Sequence, residues 1–163
     1  MFDADISLKA DQLVKAATLR HLWLTTAESC TGGLLGGALT SVSGASSVVG
    51  AGFITYSNEA KQSLLGVSSP VLARFGAVSS EVAREMAVGA LKAAEADLAL
   101  AVTGIAGPTG GSAEKPVGLV FIAGALGAGV EVQRHDFGAL GRDAVRRESV
   151  LAALSLGLGL LKA

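Results

Sequence analysis

The sequence has 163 residues, half of them hydrophobic and 17% charged, which predicts one compact globular domain over residues 1–163 and excludes a disordered chain. A net charge of −1 without a dense run of lysine or arginine argues against a nucleic-acid partner held by general electrostatics. The single cysteine, Cys30, excludes an intramolecular disulfide and any zinc site built from several cysteines.

The two ends of the sequence bear on where the protein works. The stretch MFDADISLKA carries acids where a signal peptide needs bases followed by an apolar run. The most apolar segment, Val150–Leu161, is too short to cross a bilayer. We therefore expect a cytoplasmic protein with no membrane partner, and the apolar composition favours a homo-oligomer.

The first half of the chain is predicted to alternate helices with strands. Apolar residues at helical spacing predict a helix over Asp5–Leu19. A strand over Leu22–Glu28, a glycine-rich helix over Gly32–Val42 and a second strand over Val48–Tyr56 follow. Cap residues and a terminal glycine then predict a short helix over Ser57–Gly66.

The second half is predicted to contain one long helix, three strands and a closing helix, over residues 79–96, 97–104, 119–126, 130–137 and 142–161. A glycine-rich hairpin at Gly127–Gly129 joins the last two strands. Helices alternating with buried strands predict an α/β fold, a three-layer α/β/α sandwich. We expect a mainly parallel sheet with one antiparallel element at the late hairpin.

Two glycine-rich stretches, ESCTGG (28–33) and TGIAGPTGG (103–111), follow predicted strands. Ligands of open α/β sheets bind outside the carboxyl ends of strands, and free N–H groups there favour anions or a developing oxyanion. Neither stretch has the spacing of a P-loop or of a dinucleotide-binding motif. Ordinary turns would explain the glycines equally well.

The stretch YSNEAK raises Lys61 as a candidate general base. With Asn58 as the helix cap, Lys61 falls in the first turn, where the helix field and partial burial lower the pKa of a lysine. The alternative is a solvated surface lysine. Tyr56 ends the preceding strand, so its side chain either reaches the same pocket or lies at the edge of the core.

The positions of the two histidines argue against a Ser/His/Asp triad. His21 precedes the first strand, at the end opposite Ser29, and His135 lies within a predicted strand. A hydroxyl nucleophile would then use lysine or tyrosine as its proton acceptor. No cluster of His, Asp or Glu has the spacing of a metal site, and Cys30 is a competing nucleophile that more often packs as a small hydrophobe.

Arg142 and Arg146 lie four residues apart at the start of the final predicted helix. This spacing suits a clamp on a phosphate or carboxylate. A solvated helix end, with the arginines paired to Asp143 and Glu148, is equally plausible from the spacing.

Four segments occur together and in order: ESCTGG, GFITYSNEAK, TGIAGPTGGSAEKPVG and GRDAVRR. Together they closely resemble the CinA C-terminal-domain family of nicotinamide-nucleotide amidases, in its stand-alone form. The resemblance implies hydrolysis of the carboxamide of nicotinamide mononucleotide to nicotinate mononucleotide and ammonia, in pyridine-nucleotide salvage and without a cofactor. It further implies that Ser29 is the nucleophile and that Lys61 and Tyr56 handle its proton.

The resemblance also implies the surroundings of the nucleophile. The turn that would hold the oxyanion comprises Cys30, Thr31, Gly32 and Gly33. The implied substrate-binding residues are Glu28, Asn58, Thr103, Gly104, Gly107, Gly110, Gly111, Arg142 and Arg146. Glu28 either orients Lys61 or contacts the ribose. Two rival functions remain, a non-catalytic nucleotide-binding regulatory module and an amidase for another carboxamide.

Overall fold

The computed structural model describes residues 2–162, and over these residues it contains six α-helices, a short 3₁₀ helix and five strands. The helices are α1 Ala4–Arg20, α2 Leu34–Thr40, α3 Asn58–Leu65, α4 Ser69–Phe75, α5 Ser80–Ala94 and α6 Arg142–Lys162, with the 3₁₀ helix at Ala45–Ser47. The strands are β1 Leu24–Glu28, β2 Val49–Ile54, β3 Leu98–Gly104, β4 Leu119–Leu126 and β5 Gly129–Asp136.

The five strands form one mixed sheet in the order β2-β1-β3-β4-β5. Strand β1 pairs in parallel with β2 and β3, whereas β4 is antiparallel to both β3 and β5. Four strands therefore run in one direction and β4 opposes them, which confirms the predicted sheet with its antiparallel element at the hairpin. In the parallel part, Glu28 lies beside Ile54 and Val102, so three strands end at the same edge.

Helices cover both faces of the sheet. Helices α1, α2 and α6 pack on one face around a cluster of aliphatic residues that includes Leu13, Leu100 and Leu154. Helix α5, flanked by α3 and α4, packs on the other face, where Met86 and small residues of β3 and β4 make a second cluster. Six residues of β3 are fully buried, as expected of a strand covered on both faces. The predicted three-layer α/β/α sandwich is confirmed.

Four features differ from the prediction, and the first is strand β1, which begins at Leu24 rather than Leu22. Helix α4 was not expected, because it spans only seven residues and has a proline in its first turn. Helix α2 begins at Leu34 rather than Gly32, since both Gly32 and Gly33 have the positive φ of a left-handed backbone. Strand β2 ends at Ile54, two residues before the predicted end.

Within residues 2–162, every helix is too short or too polar to cross a bilayer.

Candidate active site

A cavity of about 310 Å³ opens at the carboxyl ends of the parallel strands, a size typical of small-molecule sites. Its walls are the β1–α2 turn, the β2–α3 loop, the loop that follows β3 and the start of α6. Nine predicted site residues line it: Ser29, Cys30, Tyr56, Lys61, Thr103, Gly104, Gly107, Gly110 and Arg142. The structure thus brings the two glycine-rich stretches, the lysine and one arginine to a single place.

Ser29 and Lys61 are in direct contact inside this cavity. The Lys61 side chain is only 1% exposed, and its Nζ lies 3.0 Å from Ser29 Oγ. The same amine donates to the carbonyl of Thr55 at 2.8 Å and lies 3.4 Å from the carbonyl of Tyr56. Burial lowers the pKa of Lys61, and no carboxylate of residues 2–162 lies within 4.0 Å of the amine to counter that shift.

In its neutral form, the Lys61 amine would be oriented by these two carbonyls. A neutral lysine has two N–H groups and one lone pair. With the N–H groups on the carbonyls of Thr55 and Tyr56, the lone pair faces the Ser29 hydroxyl. This is the arrangement that a general base needs before it can accept a proton. Sequence reasoning missed Thr55, because a main-chain acceptor leaves no signal in the residue type.

The cap of α3 is Ser57, not Asn58. The Ser57 side chain accepts a hydrogen bond from the Ala60 N–H, so the prediction that Asn58 caps the helix is wrong by one residue. Asn58 is the first helical residue, is exposed and does not line the cavity. Lys61 still falls in the first turn, which points its side chain back towards the strand ends.

The Tyr56 hydroxyl is hydrogen-bonded to Arg142 and not to the serine. Tyr56 is 62% exposed, and its hydroxyl accepts a hydrogen bond from Arg142 at 3.2 Å. Arg142 also donates to the Gly107 carbonyl at 3.0 Å, so the guanidinium bridges the β2–α3 loop and the loop after β3. Within residues 2–162 the Tyr56 hydroxyl makes no hydrogen bond to Ser29 or Lys61; only its carbonyl reaches the amine.

The β1–α2 turn leaves two backbone N–H groups free beside Ser29. The Ser29 N–H donates to the Val102 carbonyl, the Gly32 N–H to the Ser29 carbonyl, and the Gly33 N–H to Glu28. The N–H groups of Cys30 and Thr31 have no acceptor among residues 2–162. The N–H groups of Gly32 and Gly33 are thus already engaged, and those of Cys30 and Thr31 are not. Of these four residues, which were expected to hold an oxyanion, Cys30 lines the cavity and the other three do not.

The Cys30 thiol is a poor competitor of the serine. The side chain is buried in the apolar cluster beneath α2, and burial raises the pKa of the thiol to about 11. A thiol needs to lose its proton to be a strong nucleophile, so Cys30 is neutral and unreactive near pH 7.

Glu28 lies behind the turn rather than in the cavity. Its side chain is 1% exposed, and its carboxylate accepts hydrogen bonds from the N–H groups of Gly33, Leu35 and Gly36 at 3.1, 3.0 and 2.8 Å. It makes no ion pair with Lys61 and does not line the cavity. Glu28 therefore does not orient Lys61 through a hydrogen bond or an ion pair, and its carboxylate is already engaged by the start of α2.

Arg146 also faces the back of the turn. It donates to the Thr31 carbonyl at 3.0 Å and does not line the cavity, so Arg142 is the cavity arginine. The expected alternative, pairing of these arginines to Asp143 and Glu148, is not found, because Glu148 pairs with Arg147.

Three further predicted residues support the walls of the cavity. The Thr103 hydroxyl donates to the Ala77 carbonyl at 2.8 Å and ties β3 to the α4–α5 connection. A Cβ at Gly104 would lie 2.8 Å from the Leu119 carbonyl oxygen, so only glycine keeps β3 and β4 paired here. Gly111 does not line the cavity, and a Cβ there would lie 2.8 Å from a backbone nitrogen of the same loop.

The charge of the cavity favours an anionic ligand. Arg142 contributes a positive charge at the mouth of the cavity, and no carboxylate is among the described residues that line it. No group of three or more His, Cys, Asp or Glu within residues 2–162 has the geometry of a metal site.

Comparison with known proteins gives a consistent set of relatives. The family model of the CinA C-terminal domain matches residues 7–161. Nicotinamide-nucleotide amidohydrolase PncC of Escherichia coli K12 is 47% identical over 154 residues, covering 94% of this chain and 93% of the relative. PncC of Enterobacter agglomerans is 50% identical over 156 residues, covering 94% and 92%. The crystal structure of competence/damage inducible protein CihA from Agrobacterium tumefaciens superposes with a TM-score of 0.96 at 48% identity, covering 100% of this chain and 99% of that one.

Proposed function

The chain belongs to the CinA C-terminal domain family, and we propose that it is an amidohydrolase that converts nicotinamide mononucleotide to nicotinate mononucleotide and ammonia. The observation that carries the proposal is the buried contact between Ser29 and Lys61, at the edge of a cavity that suits an anionic small molecule. The names of the PncC relatives support the nucleotide carboxamide as the substrate.

The first chemical step is formation of an acyl-enzyme on Ser29. Lys61 takes the hydroxyl proton on its lone pair while Ser29 Oγ attacks the amide carbon. The carbonyl oxygen then carries a negative charge, which the N–H groups of Cys30 and Thr31 stabilise in this proposal. Support comes from the lack of any acceptor for these two N–H groups among residues 2–162. When the tetrahedral intermediate collapses, the Lys61 ammonium returns its proton to the amide nitrogen, the C–N bond breaks and ammonia leaves.

In the second step Lys61 again acts first as a base and then as an acid, with water as the nucleophile. A water molecule loses a proton to Lys61 and attacks the ester carbon, and the same two N–H groups receive the oxyanion. The ester bond breaks, Lys61 returns the proton to Ser29 Oγ, and nicotinate mononucleotide leaves. One amine thus serves as base and acid in both halves, which requires that it be neutral before each attack.

Proton transfer proceeds directly between Ser29 and Lys61 in this proposal, without the Tyr56 hydroxyl. Direct transfer is supported by the 3.0 Å contact between Nζ and Oγ and by the engagement of the Tyr56 hydroxyl with Arg142. Tyr56 then has two tasks: its carbonyl orients the amine, and its hydroxyl holds the Arg142 guanidinium at the mouth of the cavity.

We propose that the substrate phosphate lies between Arg142 and the loop after β3. The N–H groups of Ala106, Gly107, Thr109 and Gly110 have no acceptor within the described part of the chain. Gly107 and Gly110 have positive φ, a backbone geometry that turns successive N–H groups towards a bound anion. The guanidinium adds a charge-assisted hydrogen bond.

The decisive experiment measures ammonia release from nicotinamide mononucleotide by the wild type and by Ser29→Ala. We expect the variant to lose at least about 10³-fold in kcat, since the nucleophile is removed. Ser149→Ala is the matched control, because Ser149 is also buried but donates only to a helix carbonyl. Near-normal turnover by Ser29→Ala would end the serine proposal.

Two comparisons test the rival functions. Turnover that survives removal of the substrate phosphate would favour an amidase for another carboxamide. Binding of the mononucleotide without ammonia release by the wild type would favour a nucleotide-binding regulatory module. The proposal expects turnover of the mononucleotide and little turnover of its riboside or of free nicotinamide.

We also propose that the protein works in the cytoplasm as a homo-oligomer. The edge strand β2, of sequence VGAGFI, has no charged side chain and is largely exposed, whereas the opposite edge strand β5 carries four charged or histidine side chains. Uncharged strand edges favour pairing with another chain. Light scattering coupled to size-exclusion chromatography checks this expectation, and a monomer across micromolar concentrations would contradict it.

A further inference from the structure

Glu28 is a buried carboxylate without a cation partner. Within residues 2–162 no lysine, arginine or histidine nitrogen lies within 4.0 Å of it, and its hydrogen-bond donors are three backbone N–H groups of the first turn of α2. A buried charge is costly unless it is well hydrogen-bonded, and a carboxylate that accepts several N–H groups meets that condition.

The start of α2 depends on this carboxylate. Gly33 occupies the N-cap position in a left-handed conformation and has no side chain to cap the helix. Serine or aspartate at that position would satisfy the same N–H groups locally. Here they are satisfied by Glu28, the residue that directly precedes the nucleophile, so the start of α2 is tied to the end of β1.

The turn between these two anchors carries the free N–H groups. On one side the Ser29 N–H donates to the Val102 carbonyl at 2.9 Å; on the other, Glu28 binds the N–H of Gly33. The Gly32 N–H closes the turn on the Ser29 carbonyl at 3.1 Å. Cys30 and Thr31 lie between the anchors, and their N–H groups therefore have a fixed position relative to Ser29 Oγ.

We infer that Glu28 is a positioning residue for the oxyanion site: its carboxylate holds the start of α2 so that the N–H groups of Cys30 and Thr31 stay free and aligned beside Ser29. The inference rests on the proposed amide hydrolysis. Glu28 acts through the backbone of the turn and touches neither substrate nor Lys61.

The test is Glu28→Gln, assayed on nicotinamide mononucleotide over a range of pH. Glutamine keeps one acceptor oxygen and places an NH₂ group against a backbone N–H, so at least one of the three hydrogen bonds is lost. Loss of one oxyanion donor lowers kcat by roughly 10²–10³-fold, and we expect a displaced turn to lower it by about 10–100-fold. The KM and the acid limb of the pH–rate profile stay unchanged, because the phosphate contacts and the Ser29–Lys61 pair are intact.

Glu85→Gln is the matched control. The Glu85 side chain likewise accepts a hydrogen bond from a backbone N–H at the start of a helix. The donor is Ser68, the N-cap residue of α4, at 2.7 Å. We expect this variant to keep the wild-type kcat even where its stability falls. Glu28→Asp, which keeps the charge on a side chain shorter by one methylene, is the second test variant. We expect Glu28→Asp to have a kcat between those of the wild type and Glu28→Gln. This variant also keeps the inference testable if Glu28→Gln does not fold.

Any other change in the kinetics of Glu28→Gln would contradict the inference. A tenfold rise in KM with kcat unchanged would make Glu28 a ligand contact, and a shifted acid limb would make it an electrostatic partner of Lys61. Unchanged kcat and KM would show that catalysis does not need the hydrogen bonds between Glu28 and the start of α2. Labelling of Ser29 by a fluorophosphonate, whose phosphoryl oxygen occupies the oxyanion position, gives a readout without the substrate. Slower labelling of Glu28→Gln in a protein that does not hydrolyse the mononucleotide would refute the proposed function and leave the positioning role standing.

Discussion

The pH dependence of stability should reveal whether Lys61 is neutral in the folded protein. Its side chain is 1% exposed, and burial lowers its pKa, whereas the same lysine in the unfolded chain titrates near the ordinary value of about 10.4. Lys61→Met replaces the amine by an unbranched apolar side chain of similar length. The informative quantity is the difference in unfolding free energy between the wild type and this variant.

The sign of the effect follows from the number of protons that each state binds. Between the folded pKa and about 10.4, the unfolded chain holds a proton on Lys61 that the folded protein does not. In this window the unfolding free energy of the wild type therefore rises with pH, by up to about 1.4 kcal/mol per pH unit. Below the folded pKa both states are protonated, and above about 10.4 neither is, so the contribution is flat on both sides.

Urea unfolding at half-unit steps between pH 6 and pH 10 measures this slope. Ionisable groups that do not interact with Lys61 contribute equally to both proteins, so their contributions cancel in the difference. Lys92→Met is the matched control, because Lys92 is an exposed lysine of α5 and its removal leaves the slope unchanged. The pH at which the slope begins should also match the acid limb of kcat/KM of the wild type.

Parallel curves for the wild type and Lys61→Met over this range would refute the reasoning. They would mean that Lys61 keeps its proton in the folded protein up to pH 10, and Ser29 would then lack its base. A slope of opposite sign would mean that the folded state raises the pKa, which requires an anionic partner that the structure does not show within 4.0 Å.

Three other predictions test the ligand contact, the thiol and the packing of α5. Arg142→Leu should raise the KM for the mononucleotide at least about tenfold while leaving its riboside unaffected, since one charge-assisted hydrogen bond is lost; equal effects on both would place the arginine away from the phosphate. Cys30→Ala should keep kcat within about threefold, because a thiol with a pKa of about 11 is not the nucleophile; loss of turnover would implicate the sulfur. Gly89→Ala should lower the unfolding free energy by more than about 2 kcal/mol, because its Cβ would overlap the Leu65 carbonyl oxygen. An unchanged urea midpoint would contradict this contact.

The sequence predicted the layers of the fold and the edge at which the cavity lies, because both follow from local pattern. Buried strands alternate with amphipathic helices, and the two glycine-rich stretches follow β1 and β3, whose carboxyl ends meet in a parallel pair. Helix α4 was missed because seven residues span only two turns, too few for an apolar period to show. The Ser57 cap was misplaced by one residue because Ser57 and Asn58 are both good caps, and only the backbone geometry separates them.

The sequence also brought forward Ser29 and Lys61, but not the groups that orient them. The carbonyls of Thr55 and Tyr56 and the backbone N–H groups that Glu28 caps are main-chain groups, and they come together only once β1, β2 and α2 are in place. Any residue type at position 55 would offer the same carbonyl. Residue identity therefore predicts which side chains carry the chemistry, and the fold alone shows what holds them.

The backbone keeps two buried ionisable groups of opposite sign apart on either side of Ser29. Carbonyl groups accept from the Lys61 amine, and N–H groups donate to the Glu28 carboxylate, so neither needs the other as a counter-ion. An ion pair between them would raise the pKa of Lys61 and keep it protonated, which would remove the base that the serine requires. Because α2 engages both oxygens of Glu28, the carboxylate is stable where it lies and the amine remains free to lose its proton. The separation of the Lys61 amine from the Glu28 carboxylate is therefore a condition for the proposed chemistry.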